Sequence, residues 1–273
     1  MKPEDAQRRE EDLEQAKKAF DANRHDVDAV IWYGRRLAYV GRFRDAITIY
    51  TMGLAEHPDD ARLFRHRGHR WITLRQFDRA IADLEIAARL VEKTPDEPEP
   101  AGTPNARGIP VDTLKHNIYY HLALAHYLRG EFEASLPVWE ECARWSTSPD
   151  TLCSVTHWRY MTLRRLGRDE EAQKTLEPIR KDLDVVEYHA YHRLCLAYRG
   201  EISFDDLWDE IRKGDRDGSD FPTIGYGIAN WHLYNGRPAL GMGIMREVAQ
   251  ASLWPAFGRV AAEAEVAGAH DSD

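Results

Sequence analysis

Residues 30–58 read VIWYGRRLAYVGRFRDAITIYTMGLAEHP, and residues 64–92 repeat the pattern as FRHRGHRWITLRQFDRAIADLEIAARLVE. Phe43 and Phe77, Gly34 and Gly68, Ala46 and Ala80, and Tyr50 and Leu84 each lie 34 positions apart. A fixed period of a few tens of residues marks a stacked repeat. Val30, Tyr33, Gly34 and Leu37 fall on one face of a first helix, and Ala46, Ile49, Tyr50 and Gly53 on one face of a second. Both sets follow the i, i+3, i+4, i+7 spacing by which an amphipathic helix buries a stripe. The small Gly34, Ala46 and Gly53 let the helices approach, and Tyr50 fills the space beside them. Gly41 breaks the chain between the helices and Pro58 closes the unit. Each such hairpin keeps apolar surface it cannot cover itself, so it must stack on a neighbour.

Val30 to Pro58 resembles a tetratricopeptide repeat (TPR), whose pattern W-x2-L-G-x2-Y, then A-x3-F, then P is met by Gly34, Ala46, Tyr50 and Pro58. Phe64, Gly68, Trp71, Ala80 and Leu84 meet it again, with Arg67 at an apolar place. Later copies show in their turns: LRGEF ends at Phe132, RLGRDEEA at Ala172, YRGEI at Ile202 and YNGRPA at Ala239. The turn glycines Gly130, Gly167, Gly200 and Gly236 are 37, 33 and 36 residues apart. These observations predict an all-α chain: a right-handed α-solenoid of about six TPR-like helical hairpins, forming one domain over residues 1–267. Its expected parts are an N-terminal helix in 1–26 (Leu13, Ala16, Phe20), two regular repeats over 27–94, and a Pro-rich insertion over 95–115. Four looser repeats follow over 116–249, then a capping helix over 250–267 and a tail over 268–273.

The insertion is read by subtraction. Gly41 and Gly130 are 89 residues apart, two periods plus 21, and the excess falls in KTPDEPEPAGTPNARGIPVDTL (Lys93 to Leu114). Five prolines with Gly102 and Gly108 exclude a helix there. Glu92, Asp96, Glu97 and Glu99 follow directly on an arginine-rich hairpin. An extended Pro-rich chain has the reach to cross a groove. A plain surface loop is the more common outcome for such a stretch; the sharper expectation is a strap over the concave face, held by exposed, salt-sensitive pairs.

Composition bounds the function. The net charge of −9 disfavours general nucleic-acid binding, which needs a basic footprint. No apolar run approaches the roughly 20 residues of a membrane span, and Met1 to Glu10 is polar with no apolar core of a signal peptide behind it. A soluble chain is expected, cytoplasmic by default. Cys142, Cys153 and Cys195 are odd in number and without a CxxC, which speaks for reduced thiols rather than disulfides or structural zinc.

In TPR proteins the first helix of each hairpin lines the concave surface, so the resemblance makes its residues outside the packing stripe the candidate ligand contacts. In the first two hairpins these are Arg35, Tyr39, Arg62, Arg65 and His69; residues 61–80 hold six arginines and one acid. Guanidinium forks pair with carboxylate or phosphate, although a solvated face is the plainer reading. Further along come Tyr120, His121, Tyr127, His157, Trp158, Arg164, Tyr191, Asn230 and Tyr234, aromatic and polar as recognition surfaces are. Tyr119, Trp139 and Trp231 are assigned to packing. Cys153 with His157 at the start of a helix, and His157 with His189 and His192, are weak catalytic and metal signals, and buried cysteine or ordinary histidine explains them better. The expectation is therefore a non-enzymatic adaptor without cofactor or metal, binding an acidic or carboxylate-bearing protein or peptide segment in its groove. The alternative is a small-molecule or catalytic pocket built from His121, His157, Trp158, Tyr191 and Asn230.

Overall fold

The computed structural model describes residues 3–270. They form an all-α solenoid that opens with α1 (Pro3–Ala22) and continues as successive helix pairs. The pairs are α2 (Val27–Tyr39) with α3 (Phe43–Glu56), α4 (Ala61–Thr73) with α5 (Phe77–Val91), and α6 (Leu114–Leu128) with α7 (Phe132–Arg144). Next come α8 (Pro149–Arg165) with the short α9 (Asp169–Thr175), α10 (His189–Tyr198) with α11 (Phe204–Lys213), and α12 (Asp220–Tyr234) with α13 (Pro238–Val248). The last helix is α14 (Phe257–His270). Of the expected tail, residues 271–273 lie outside the described residues. The α10/α11 pair is looser than the others, because α11 leans on α12.

The first helices of the first four hairpins start on side-chain caps, whereas α10 and α12 do not. Asp26, Asp60, Thr113 and Ser148 accept backbone N–H groups at the heads of α2, α4, α6 and α8, satisfying donors that the helix cannot. The hairpin turns use a left-handed residue: Gly41, Gly130, Gly167, Gly200 and Gly236 have φ between 70° and 82°. Arg75 stands at the equivalent place of the second hairpin with φ 60°, a conformation costly for a side chain that carries a Cβ. Its side chain shows what holds it there. Arg75 Nε donates to Glu263 at 2.8 Å, Nη2 donates to the Trp254 carbonyl at 3.0 Å, and the guanidinium lies 4.0 Å from the centre of the Trp254 ring.

The close approaches expected from the glycines are present. A Cβ at Gly68 would sit 2.7 Å from Leu84 Cγ, and one at Gly34 would collide with the Tyr50 ring. Arg67, at an apolar place in the pattern, is accommodated by a buried acid on the paired helix: Asp83 takes both ends of its fork at 2.7 Å and also accepts from Trp71 Nε1 at 3.1 Å. Asp150 does comparable work further on. Fully buried, it accepts the backbone N–H groups of Val186, Glu187 and Tyr188 at 2.6–3.2 Å and so shapes the irregular 176–188 segment.

The C-terminal segment does more than cap the last hairpin. α14 packs on α12 and α13, then reaches α6. Ahead of it, Trp254 meets Phe43 at 5.5 Å, and Phe257 meets His69 at 5.3 Å and His121 at 5.6 Å. The end of the chain thus crosses the concave side back to the first three hairpins.

Candidate functional site

The concave side of the first hairpins is roofed by residues 92–113. Glu99 N donates to Asp112 O at 3.0 Å and Leu114 N to Glu97 O at 2.9 Å, pairing the two arms of the insertion. Arg35 donates to the Pro100 carbonyl at 2.9 Å and Arg36 to that of Gly102 at 3.0 Å. Gly102 packs so closely on Tyr39 that a side chain there would strike the phenol oxygen. At the far side Arg107 forks onto Asp184 at 2.8 and 3.0 Å, and Asn105 donates to Glu187 at 2.7 Å. The insertion is therefore a strap, with one difference from the sequence reading. Its central pair, Arg65 Nε to Glu99 at 3.0 Å, is buried, with both side chains only 9% exposed. The reason is that α4 and the strap close over it together, so salt has little access.

Under the strap lies a cavity of about 320 Å³, lined by Arg35, Tyr39, Tyr50, Arg65, His66, His69 and Arg70 below and by Glu99 to Thr103 above. Arg9, Arg35, Arg65 and Arg70 stand on its wall against Glu99, Asp112 and Glu187, but these charges are unevenly paired. Arg65 has Glu99, but among the described residues Arg35 meets a carbonyl, the Tyr39 hydroxyl and the Trp32 ring at 4.4 Å, and no acid within ion-pair distance. Arg70 has no acid or hydrogen-bond partner among the described residues, and Phe43, at 5.9 Å, is the ring it faces. Burial brings its guanidinium down to about 10. Burial, together with the neighbouring arginines, holds His66 and His69 well below the ordinary imidazole value, so both are neutral at physiological pH.

A second lobe of about 270 Å³ shares Arg65, His69, Asp112 and Asn117 with the first and adds His116, Tyr120, His121, Tyr188, Tyr191 and Phe257. Tyr120 and Tyr191 join hydroxyls at 3.1 Å, and Trp158 Nε1 donates to Tyr120 at 2.7 Å. Burial pushes the Asp112 carboxyl up to about 6, opposed by the Tyr188 hydroxyl that donates to it at 2.7 Å. Neither Asp112, Asn117 nor Phe257 carried a sequence signal. Asp112 and Asn117 flank a helix start, and Phe257 reaches the site only through the return of the chain.

The remaining candidates are distributed elsewhere. Arg62 spends its fork on Asp60 and Asp28, each at 2.7 Å, at the rim outside both lobes. The helix cap Asp60 lies two residues before it, which draws the side chain away from the groove. His157, Trp158 and Asn230, expected to contact ligand, are core residues at no more than 1% exposure. Other hairpins cover them: His157 Nδ1 meets Tyr198 Oη of the following one at 3.1 Å, and Asn230 accepts from Arg165 at 2.7 Å and donates to Tyr127 at 2.6 Å, both from earlier ones. Tyr127 lines a different cavity of about 410 Å³ with Tyr226, Arg165 and Glu265, where the two charges satisfy each other at 2.5 Å. Arg164 pairs with Asp169 at 2.8 Å and covers the Tyr234 ring at 4.4 Å, so this pair packs at the outer end of its hairpins. The alternative pocket of the sequence reading is accordingly split: Tyr191 and His121 line the second lobe, and its other three members do not. The Cys153 thiol is pushed up to about 12 by burial and by Asp150, which removes it as a nucleophile at neutral pH. Among the described residues no cluster of three His, Cys, Asp or Glu side chains is arranged to hold a metal, and no helix is long and apolar enough to cross a membrane.

The helical hairpins, their glycine turns and their close approaches define a protein of the tetratricopeptide-repeat fold. Solved structures similar to it include YrrB, described as a TPR protein with an unusual peptide-binding site (15% identity, 93% of this chain and 98% of that one, TM-score 0.48). MamA is another (16% identity, 74% and 99% covered, TM-score 0.48), and a third is Naa15/Naa10 bound to HypK-THB (15%, 98% and 39%, 0.42). No protein-family model and no curated protein matches the sequence.

Proposed function

We propose that this protein is a non-catalytic interaction scaffold whose first two hairpins recognise an acidic, extended segment of a partner protein. The observation that carries the reading is the cavity under the strap, where Arg35 and Arg70 face inward with no ion-pair partner among the described residues, although Glu99, Asp112 and Glu187 stand elsewhere on its wall. A buried cation without a counter-charge is costly, and a ligand carboxylate removes that cost. The strap supplies the geometry of such a complex within the chain itself. Its Glu99 sits on Arg65 while its carbonyls accept from Arg35 and Arg36, which is how an extended acidic peptide would lie across α2 and α4.

The test uses the strap's own sequence as probe. Residues 95–110 are replaced by a short Gly/Ser linker, and binding of the peptide DEPEPAG (residues 96–102) is measured by calorimetry in low and moderate salt. Binding at least tenfold tighter than to the intact chain, and lost when the peptide's acids become amides, is expected. Gly102→Val, which pushes the strap off Tyr39, should give an intermediate result. Equal affinity for acidic and amide peptides refutes acid recognition.

A further inference from the structure

The second lobe has an inventory of its own. His121 Nδ1 lies 2.6 Å from the Asn117 carbonyl, and because a carbonyl can only accept, Nδ1 carries the ring proton. With burial and Arg65 keeping the ring neutral, Nε2 is a bare lone pair. It is buried and has no hydrogen-bond partner among the described residues, on a residue 3% exposed that lines the lobe. Asp112 Oδ1 is likewise buried and unpartnered, while Oδ2 accepts from Tyr188. Two orphaned acceptors in one lobe are exceptional in a folded protein, where nearly all buried polar atoms are paired. They call for a ligand that brings hydrogen-bond donors.

The walls define the shape of that ligand. His69, His121 and Phe257 pack on one another at 4.3–5.6 Å, and with Tyr120, Tyr188 and Tyr191 they give the lobe an aromatic wall against which a flat ring can lie. Arg65 and His69 are common to both lobes, and beyond them wait Arg35 and Arg70. From these features we infer that the joined lobes bind a small hydroxylated aromatic acid. Its hydroxyl groups donate to His121 Nε2 and Asp112 Oδ1, its ring lies against the wall formed by Tyr120, Tyr191 and Phe257, and its carboxylate reaches the arginines. The carboxylate half rests on the proposed function; the ring half does not. The first lobe, at about 320 Å³, falls in the size range of small-molecule sites, mostly preformed concavities with a few placed polar groups, and the second, at about 270 Å³, lies just below it and extends it.

The experiment is calorimetric titration of the full chain with 3,4-dihydroxyphenylacetate, with phenylacetate and 4-methylcatechol as controls. The dihydroxy acid is expected to bind at least tenfold more tightly than either control. His121→Phe, which keeps a ring and removes the acceptor, should bring it within twofold of phenylacetate. Because that variant fills a buried position, the same point is read in the wild type from the imidazole nitrogen spectrum. The His121 Nε2 resonance should shift on addition of the dihydroxy acid and stay in place with phenylacetate. Phenylacetate binding as tightly as the dihydroxy acid, or an unmoved Nε2 resonance at saturation, overturns the ring half and hence this inference. 4-Methylcatechol binding as tightly as the acid overturns the arginine half, which is the failure of the proposed function at this site. No binding of any of the three at millimolar concentration overturns the inference as a whole.

Discussion

Arg70→Met should stabilise the protein, against the usual direction of a substitution at a semi-buried position. At neutral pH the arginine is charged in both the folded and the unfolded chain. Its fall to about 10 in the folded state is worth about 3 kcal/mol against the charged form, at roughly 1.36 kcal/mol per pKa unit. Part of that is not realised. Solvent reaches the side chain through the cavity and screens the charge, and the last turn of α4 favours a cation by about 0.3–1 kcal/mol. The Phe43 ring at 5.9 Å contributes about 0.5 kcal/mol more in its favour. A net gain of about 1 kcal/mol remains for methionine, which preserves the packed stem, and it corresponds to about 2–4 °C in Tm for a chain of this size. A basic group with a lowered pKa carries its full penalty below the folded value and sheds it as pH rises toward the unfolded one, so the gain should shrink above pH 10. Thermal melts at pH 7 and pH 10.5, with titration of DEPEPAG into the strap-replaced background, check both halves. A Tm lower than wild type by more than about 2 °C would refute the reasoning, because Arg70 would then hold a stabilising partner. Higher stability with unimpaired peptide binding would leave the cavity charge correct and its role wrong.

Two other outcomes follow from single residues. Arg75→Ala keeps the positive φ and loses the contacts to Glu263 and Trp254, whereas Arg75→Gly loses the contacts but relieves the backbone; glycine should be the more stable variant by about 1–2 kcal/mol in urea melts, and the reverse order would show that no backbone strain is present. Asp112→Asn should be more stable than wild type at pH 7 by about 1–2 kcal/mol after allowing for solvent screening. The acid's pKa is raised to about 6, so wild type loses stability as pH rises from the unfolded value near ~4 through 6, and equal melts for the two chains at both ends of that window would refute the assignment.

The hairpins were legible because their cause is local: the 34-residue spacing of Gly34 with Gly68 and Ala46 with Ala80 reflects contacts inside one repeat and with the next. The site was legible only in part, for a physical reason. Arg65 and His157 sit on first helices at comparable helical spacing, yet Arg65 meets a strap and His157 is sealed by Tyr198 and Tyr191 from the next hairpin. Periodicity tells which residues share a face and says nothing of what later covers it. Arg62 shows the opposite limit, since a nearby cap residue redirected it. Arg75 was readable in principle: it lies 34 positions after Gly41, and a missing turn glycine asks for a compensating contact.

That contact bears on how the protein is made. A repeat array ordinarily settles hairpin by hairpin, each resting on its neighbour, and domains begin to fold while the chain is still being synthesised. Here the second hairpin's turn is fastened by Glu263, 188 residues downstream. While the ribosome is still working through the later repeats, Arg75 is strained and unanswered, and His69 lacks Phe257. The first hairpins must wait, apolar and basic surface showing, for residues 254–263 to emerge. Until Phe257 has emerged the nascent chain therefore stays open to chaperones and to stray acidic partners, and a ribosome stalled short of it would display the groove under the strap without the Phe257 wall.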